Sequence, residues 1–478
     1  MTSPYYERLS GADTMFLVME ESTVHMHVAS VQILEGEQLR GAQGGVNFQK
    51  FRRCIESKLP AVPRYRQKVR SAPLIGSPVW VDDPSFNLSY HVRHSALPKP
   101  GTEKQLKNLA ARIMSQQLDR TKPLWESWLV EGLEGERVAV ITKVHHCMID
   151  GVSGVDLSHI LMSPQADYEE PAELPPFEPR PAPADLRLVT DELSRVAGLP
   201  RRMFDGLARF GREKEDVIEE VTVRGKAFLD LIVTGMSGDG DSEKEKEMGP
   251  HRRFDWLEMN LDDVKRTRRA LGCTLNDVVL ATVAGAARDL VIRQGEDPGT
   301  TRFRVSAPVS VRKEEQKGKL GNQVSSWIID LPIAQADPLE RVELISEKTR
   351  ELKRSRNALG VQMLMRAADW TPTMLLSLGA RAARGQVDMI VTNVPGPQFP
   401  LYMAGAKTLA LYPQVPLIPG TPLGAALFSY DGKLFWGFNA EYDQYRLLWK
   451  FCDAIRDSFD ELARLAAPET ANEAATEA

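Results

Sequence analysis

VAVITKVHHCMIDG, residues 138–151, is the stretch of this 478-residue chain from which the fold can be read. Val138, Val140, Thr142 and Val144 alternate with Ala139, Ile141 and Lys143 in a β-branched run, the pattern of a mostly buried strand. Two adjacent histidines close it. Successive side chains of a strand face opposite sides, so His145 and His146 cannot both look into one cavity while strand geometry lasts. One is then a base and the other a structural group. Imidazole titrates near neutral pH and can take a proton from a hydroxyl or thiol and return it within a turnover. Asp150 sits four residues past His146, and Gly151 supplies the φ freedom of a sharp turn. Ser153 and Asp156 then have capping-box spacing, which places the motif on a strand, turn, helix unit.

Outward from this stretch, composition sets the class. The chain has room for two domains of ordinary size. A hydrophobic fraction of 42% with 26% charged residues is that of a globular protein. A net charge of −5 gives no argument for a nucleic-acid partner. Cys54, Cys147, Cys273 and Cys452 are far apart and show no metal-ligand spacing, which predicts reduced thiols in a cytoplasmic protein. The first residues, MTSPYYERLSGADTMF, lack the basic and apolar segments of a signal peptide, and no apolar run reaches 18 residues. A lipid substrate would therefore be met from the membrane surface.

Taken in order, helical spacing over 9–17 precedes a strand over 25–34. His25 and His27 share one strand face as two zinc ligands would, but no third ligand lies near them in sequence, so a packed or surface pair is expected. A helix over 48–59 stops at Pro60 and Pro63, and Arg64 and Arg66 would share a face if extended. Strand-like 79–92 and an amphipathic helix over 104–119 lead to PLWESWLVEGL, residues 123–133. Proline density marks 163–185 as a linker, and the near-absence of apolar residues in SGDGDSEKEKEMGP, residues 237–250, marks a second boundary after a helix-rich 186–236. Helices over 261–271 and 275–294 follow, with Thr274 as a possible cap and Asn276 and Asp277 in the first turn. Strands over 303–309, 324–331, 389–394, 423–429 and 434–439 alternate with helices over 338–356, 359–383 and 445–465. The last two strands form a hairpin at Tyr430, Asp431, Gly432 and Lys433. Met363, Leu364, Met365, Trp370 and Met374, interrupted by Arg366, Arg381 and Arg384, read either as core or as an interfacial helix.

HHCMIDG resembles the HHxxxDG signature of the CoA-dependent acyltransferase superfamily, which includes chloramphenicol acetyltransferase, carnitine acyltransferases and peptide-synthetase condensation domains. PLWESWLVEGL, TLNDVVLA at 274–281, SAPVSVR at 306–312, GNQVSSWIIDLP at 321–332 and NVPGP at 393–397 narrow the likeness. In this order and spacing they resemble the bacterial wax ester synthase/diacylglycerol acyltransferases over nearly the whole chain.

The resemblance implies an α/β (α+β) fold of two chloramphenicol-acetyltransferase-like domains, each a mixed sheet flanked by helices, with a substrate tunnel between them. Residues 1–162 would form the motif-bearing domain, 163–250 the linker and crossover, 251–467 the second domain and 468–478 a disordered tail. It implies transfer of a fatty acyl group from long-chain acyl-CoA to diacylglycerol or a fatty alcohol, with no bound cofactor, at a membrane surface or lipid droplet on the cytoplasmic side. His146 would be the general base, His145, Asp150 and Gly151 would shape its loop, and Asn276 would donate to the oxyanion. Pro123, Leu124, Trp125, Asn393, Pro395 and Gly396 would meet substrate. Arg64, Arg66 or Arg312 would pair with Asp150. A carrier-dependent condensation-type enzyme and a non-catalytic lipid binder are the alternatives. GVSGVD, residues 151–156, lacks the second glycine of a hydrolase elbow.

Overall fold

The computed structural model of the chain describes residues 5–42, 44–73, 77–148, 161–171, 173–197, 248–310, 324–354 and 387–467. A two-residue strand, β1 (Glu7–Arg8), precedes α1 (Gly11–Met19), whose N-cap Ser10 accepts the Asp13 N–H. β2 (His27–Glu35) follows, then α2 (Phe48–Lys58), β3 (Gln67–Ser71) and β4 (Pro78–Asp82), the last two forming a small sheet with β1 in the order β1-β4-β3. A short helix, α3 (Leu88–His91), leads to β5 (Val92–Ala96), and α4 (Glu103–Ser115) opens on a Thr102–Gln105 capping box. β6 (Trp125–Leu133) and β7 (Arg137–His145) then run antiparallel.

β7 is sealed on both faces, with Ala139, Val140 and Ile141 fully buried, which is why its sequence reads as an unbroken apolar run. Its one interior charge, Lys143, also fully buried, donates to the carbonyls of Ile113 at 2.9 Å and Gln116 at 2.8 Å. It thereby caps the end of α4, sharing the Ile113 carbonyl with the C-cap N–H of Gln116.

The proline-dense 163–184 has no regular element among its described residues, yet it is pinned to the first domain. Arg180 donates twice to Asp82, at 2.8 Å each. α5 (Asp185–Ala197) closes the described linker, with Asp191 accepting from the Tyr6 hydroxyl at 2.6 Å.

The second half contains β8 (Arg252–Asn260), α6 (Leu261–Ala270), α7 (Leu275–Arg293), β9 (Arg304–Ser310), β10 (Val324–Asp330), α8 (Pro338–Arg354), β11 (Met389–Pro395), β12 (Tyr402–Met403), β13 (Ala406–Gln414), β14 (Leu423–Tyr430), β15 (Lys433–Glu441) and α9 (Leu448–Leu465). Its six-stranded sheet runs β10-β9-β11-β14-β15-β8, mixed in direction because β11 is parallel to β14 and β9 while the rest pair antiparallel. α7 and α9 cover it at close range. A Cβ on Gly285 of α7 would lie 2.1 Å from the Ser458 hydroxyl of α9, so only glycine fits. The β14–β15 hairpin turns on Asp431 and Gly432 with φ of 44° and 79°, the two positive values of a type I′ turn.

The division at residue 251 needs one correction. β12 and β13 belong by sequence to the second half, yet they complete the first sheet, which runs β12-β13-β2-β7-β6-β5. No strand was expected between 397 and 423. β13 carries Pro413 and a bulge between Thr408 and Ala410, which blur its alternation. It packs back on the second sheet as well. Tyr412 stacks on Trp256 at 4.6 Å, and the Tyr430 hydroxyl donates to the Thr408 carbonyl. One apolar core therefore runs from Val31 and Ile141 through Tyr412 to Phe435 and joins the two halves.

Candidate active site

β7 ends at His145, and the chain turns at once into a single 3₁₀ turn, His146–Met148. The two histidines have different surroundings. His145 is fully buried, and its Nδ1 accepts the Cys147 backbone N–H at 3.1 Å, which leaves the ring proton on Nε2. His146 keeps part of its surface accessible and stacks on Phe16 of α1 with ring centroids 3.7 Å apart. Its backbone N–H donates to the Met26 carbonyl at 2.7 Å, so the residue before β2 holds the turn from the other side.

Burial pushes the His146 imidazole down to about 4, with the neighbouring His145 adding to the shift and the residue's own carbonyl opposing it. The ring is neutral throughout the neutral range. A neutral imidazole with an accessible edge can accept a proton, which is what a base at this position must do. Asp150 and Gly151 lie outside the described residues, as do Ser153, Asp156, Arg312 and the Met/Arg stretch around 363–384.

The PLW residues pack against the motif strand. Leu124 and Trp125 are 0% and 1% exposed and Pro123 is buried with them, so they brace β7. The Leu124 carbonyl accepts the His145 backbone N–H at 2.9 Å. The Trp125 indole donates to the Tyr65 carbonyl at 2.8 Å, and its ring stacks on His91 at 4.7 Å.

Arg64 and Arg66 lie in a 3₁₀ turn, Pro63–Arg66, and not in an extended segment, so they do not share a face. Pro63 starts that turn. Arg64 pairs with Glu7 at 2.9 Å and lies over the Trp80 ring at 4.5 Å. Arg66 lies over Phe177 at 4.4 Å and, with Arg52 and Phe86, lines a cavity of about 430 Å³ that neither histidine touches.

The second half contributes a pair of asparagines. Thr274 and Asp277 form the capping box that opens α7, and Asp277 also accepts the Thr349 hydroxyl at 2.7 Å. That double anchor fixes the first turn and the exposed Asn276 on it. Asn393 of β11 donates its Nδ2 to Asn276 Oδ1 at 2.9 Å. With its carbonyl occupied, the Asn276 amide turns its own N–H₂ outward as a donor. The segment beyond Asn393 is held by close approach: a Cβ on Gly396 would lie 2.4 Å from the Ser429 carbonyl, and the Gly396 N–H donates to the Ser429 hydroxyl. Pro395 is exposed.

His25 and His27 are packed against each other with centroids 5.3 Å apart. The partners that sequence spacing did not find are His145, which is the register partner of His27, and the side chain of Glu20. Arg120 ion-pairs with that carboxylate and donates to the Leu17 carbonyl at 2.9 Å. No sequence signal singles out Glu20 or Arg120. Among the described residues, no group of three or more His, Cys, Asp or Glu has the geometry to hold a metal ion.

Two family models match this chain. One described as the wax ester synthase/diacylglycerol acyltransferase catalytic domain covers residues 9–279, and one described as the C-terminal domain of the same enzymes covers residues 320–463. A probable diacylglycerol O-acyltransferase of Mycobacterium tuberculosis is 30% identical over 470 residues, covering 96% of each chain. A putative diacylglycerol O-acyltransferase of the same organism is 29% identical, covering 95% of this chain and 90% of the relative. Among solved structures, the Marinobacter aquaeolei wax ester synthase/diacylglycerol acyltransferase aligns over 96% of this chain and 99% of its own, with TM-score 0.64 and 23% identity. The first condensation domain of the calcium-dependent antibiotic synthetase aligns over 98% of both chains with TM-score 0.56 and 16% identity. These two likenesses show the shared two-domain fold.

Proposed function

Because this chain belongs to the wax ester synthase/diacylglycerol acyltransferase family, we propose that it moves a long-chain fatty acyl group from acyl-CoA to the hydroxyl of diacylglycerol or of a fatty alcohol, with His146 as the base. The observation that carries this reading is the state of His146. It is a neutral imidazole at the end of a buried strand, stacked on Phe16 and held by the Met26 carbonyl.

In this reading His146 takes the acceptor's hydroxyl proton as its oxygen bonds to the thioester carbonyl carbon. The carbonyl oxygen becomes an oxyanion, to which the Asn276 N–H₂ donates. Collapse of the tetrahedral intermediate breaks the C–S bond, and the protonated His146 returns its proton to the departing CoA thiolate. Ester and free CoA result, so atoms and charge balance and no cofactor is consumed. The outward N–H₂ of Asn276 supports the donor role, because a preorganised donor costs little reorganisation as charge develops.

The acceptor is insoluble, so the protein meets it at a membrane surface or lipid inclusion. No single helix among the described residues is long and apolar enough to cross a membrane. Flotation with anionic liposomes tests the association, and protein left in the soluble fraction would count against it.

The deciding experiment measures thiol release from palmitoyl-CoA with dipalmitoylglycerol, hexadecanol or no acceptor. Release that requires an acceptor supports the reading, and the ratio between acceptors names the ester. Release without an acceptor would make the protein a thioesterase, and no release would favour a carrier-dependent enzyme or a lipid binder.

A further inference from the structure

Glu20 sits at the C-cap of α1, where the helix dipole disfavours a carboxylate, and its side chain is only 1% exposed. Both facts are unfavourable for an isolated anion, so its surroundings must favour it. They do. Oε2 faces His145 Nε2 at 3.5 Å and ion-pairs with Arg120, while Oε1 faces His27 Nε2 at 3.5 Å and His25 Nδ1 at 3.7 Å. The imidazole distances exceed those of well-formed hydrogen bonds, so attraction between the anion and the ring N–H groups is the main interaction.

The geometry points to Glu20 as a positioning residue that holds His145 in its Nε2–H tautomer and so fixes the turn presenting His146. This inference rests on the reading of His146 as the base. The chain of contacts is short. An Nε2–H aimed at the carboxylate leaves Nδ1 unprotonated, and unprotonated Nδ1 is what accepts the Cys147 N–H at 3.1 Å. That bond ties the 3₁₀ turn to the end of β7. If Nδ1 carried the proton, the Cys147 N–H would lose its acceptor and the turn would loosen at the residue after His146.

α1 acts on both histidines at once. Phe16 and Glu20 are i and i+4 on one helix face, and Phe16 stacks on His146 while Glu20 faces His145. His145 ends β7 and His146 opens the turn after it, and a helix across the strand end touches both. The charged groups around Glu20 come from every packed element: His25 and His27 with β2, His145 from β7, and Arg120 after α4. Lys143 and Arg252 act on the histidines through their charge at longer range. Burial alone would raise the Glu20 carboxyl, but His145, His27 and Arg120 outweigh it and hold it well below the usual carboxylate range. Burial pushes His27 down to about 3, so it faces Glu20 as a neutral ring. Glu20 thus stays anionic across the working range.

The first test needs no substitution and no activity. ¹⁵N imidazole shifts of full-length protein should show the neutral ring of His145 as its Nε2–H tautomer. An Nδ1–H tautomer would overturn the proposal whether or not the enzyme turns over. The second test is Glu20→Gln, which keeps shape and removes charge. We expect a folded protein in which kcat for palmitoyl-CoA falls about 10- to 100-fold, KM stays within about 2-fold, and His145 shows mixed tautomers. Loss of kcat with the His145 spectrum unchanged, or kcat within about 2-fold of the parent, would sink it. Should Glu20→Gln not fold, the same spectrum and kcat are read in Arg120→Gln, which weakens the anchor on Glu20. There an unchanged kcat with a displaced tautomer would be the contrary result.

Discussion

His145 of the first half of the chain and Asn276 of the second are held in opposite ways. His145 is 0% exposed and faces a buried anion with two further imidazoles and an arginine around it. Asn276 is exposed and is held by one neutral amide, Asn393, at 2.9 Å. The difference follows from what each side must do. A base needs a defined protonation state, and burial with fixed charges supplies it. A donor to an oxyanion needs only direction, and an amide carries its N–H groups at every pH. The histidine side should therefore be sensitive to charge and pH, and the asparagine side to geometry alone.

The largest effect expected on either side is at the base. His146→Ala should lower kcat by about 10² to 10⁴ with the fold intact, since that is what general-base catalysis contributes. Near-normal turnover in a folded variant would remove the histidine side of the comparison. Asn276→Ala comes next, with a loss of about 10² to 10³ if its amide donates to the oxyanion. Asn393→Ala should cost less, about 10-fold, because it orients the donor and leaves it in place. The comparison adds a sharper requirement: both asparagine losses should be constant from pH 6 to 9. A pH-dependent loss would tie the asparagines to a titrating group and break the distinction.

A smaller shift should appear in the pH profile of the unaltered enzyme. The usual imidazole value is about 6.5, whereas burial pushes His146 down to about 4. Lowering the pH stops catalysis only when the base is protonated. The acid limb of kcat/KM should therefore lie well below pH 6.5, and a limb at 6.5 or above would mean that His146 is solvated like a free imidazole.

What could be read from the sequence was local. The motif strand, the Thr274 cap and the Asp431-Gly432 hairpin all depend on residues within a few positions of one another. Glu20 and Arg120 were not legible, because they reach the histidines only through the antiparallel register that sets His27 opposite His145. β13 was missed because its place in the first sheet depends on pairing with β2, far away in sequence. That PLW braces the motif strand was not legible, because a buried brace and a substrate wall use the same apolar side chains. The asparagine pair was legible residue by residue but not as a pair, since Asn276 lies on α7 and Asn393 on β11.

Lys143 offers the smallest effect on rate and tests whether charge on the histidine side is local to Glu20. It lies two residues before His145 on the same strand face and is fully buried, but its Nζ serves the carbonyls of Ile113 and Gln116 and no group of the proposed chemistry. Lys143→Met should leave kcat within about 3-fold while lowering the thermal midpoint, because the two hydrogen bonds that its Nζ makes to the end of α4 are lost, at about 1–3 kcal/mol each. Its pH dependence has a defined sign. Burial pushes the Lys143 ammonium down to about 8, below the value of about 10.4 for an unfolded chain. Between those values the unfolded state binds more protons, so this residue makes the native protein more stable as pH rises. The variant cannot share that gain, so the midpoint gap between the two proteins should widen from pH 7.5 to 9.5 by the equivalent of about 1–2 kcal/mol. A gap that stays constant would mean that Lys143 keeps its proton in the fold as it does in the unfolded chain. A large fall in kcat would show that charge along β7 acts as one network, with Glu20 only its nearest member.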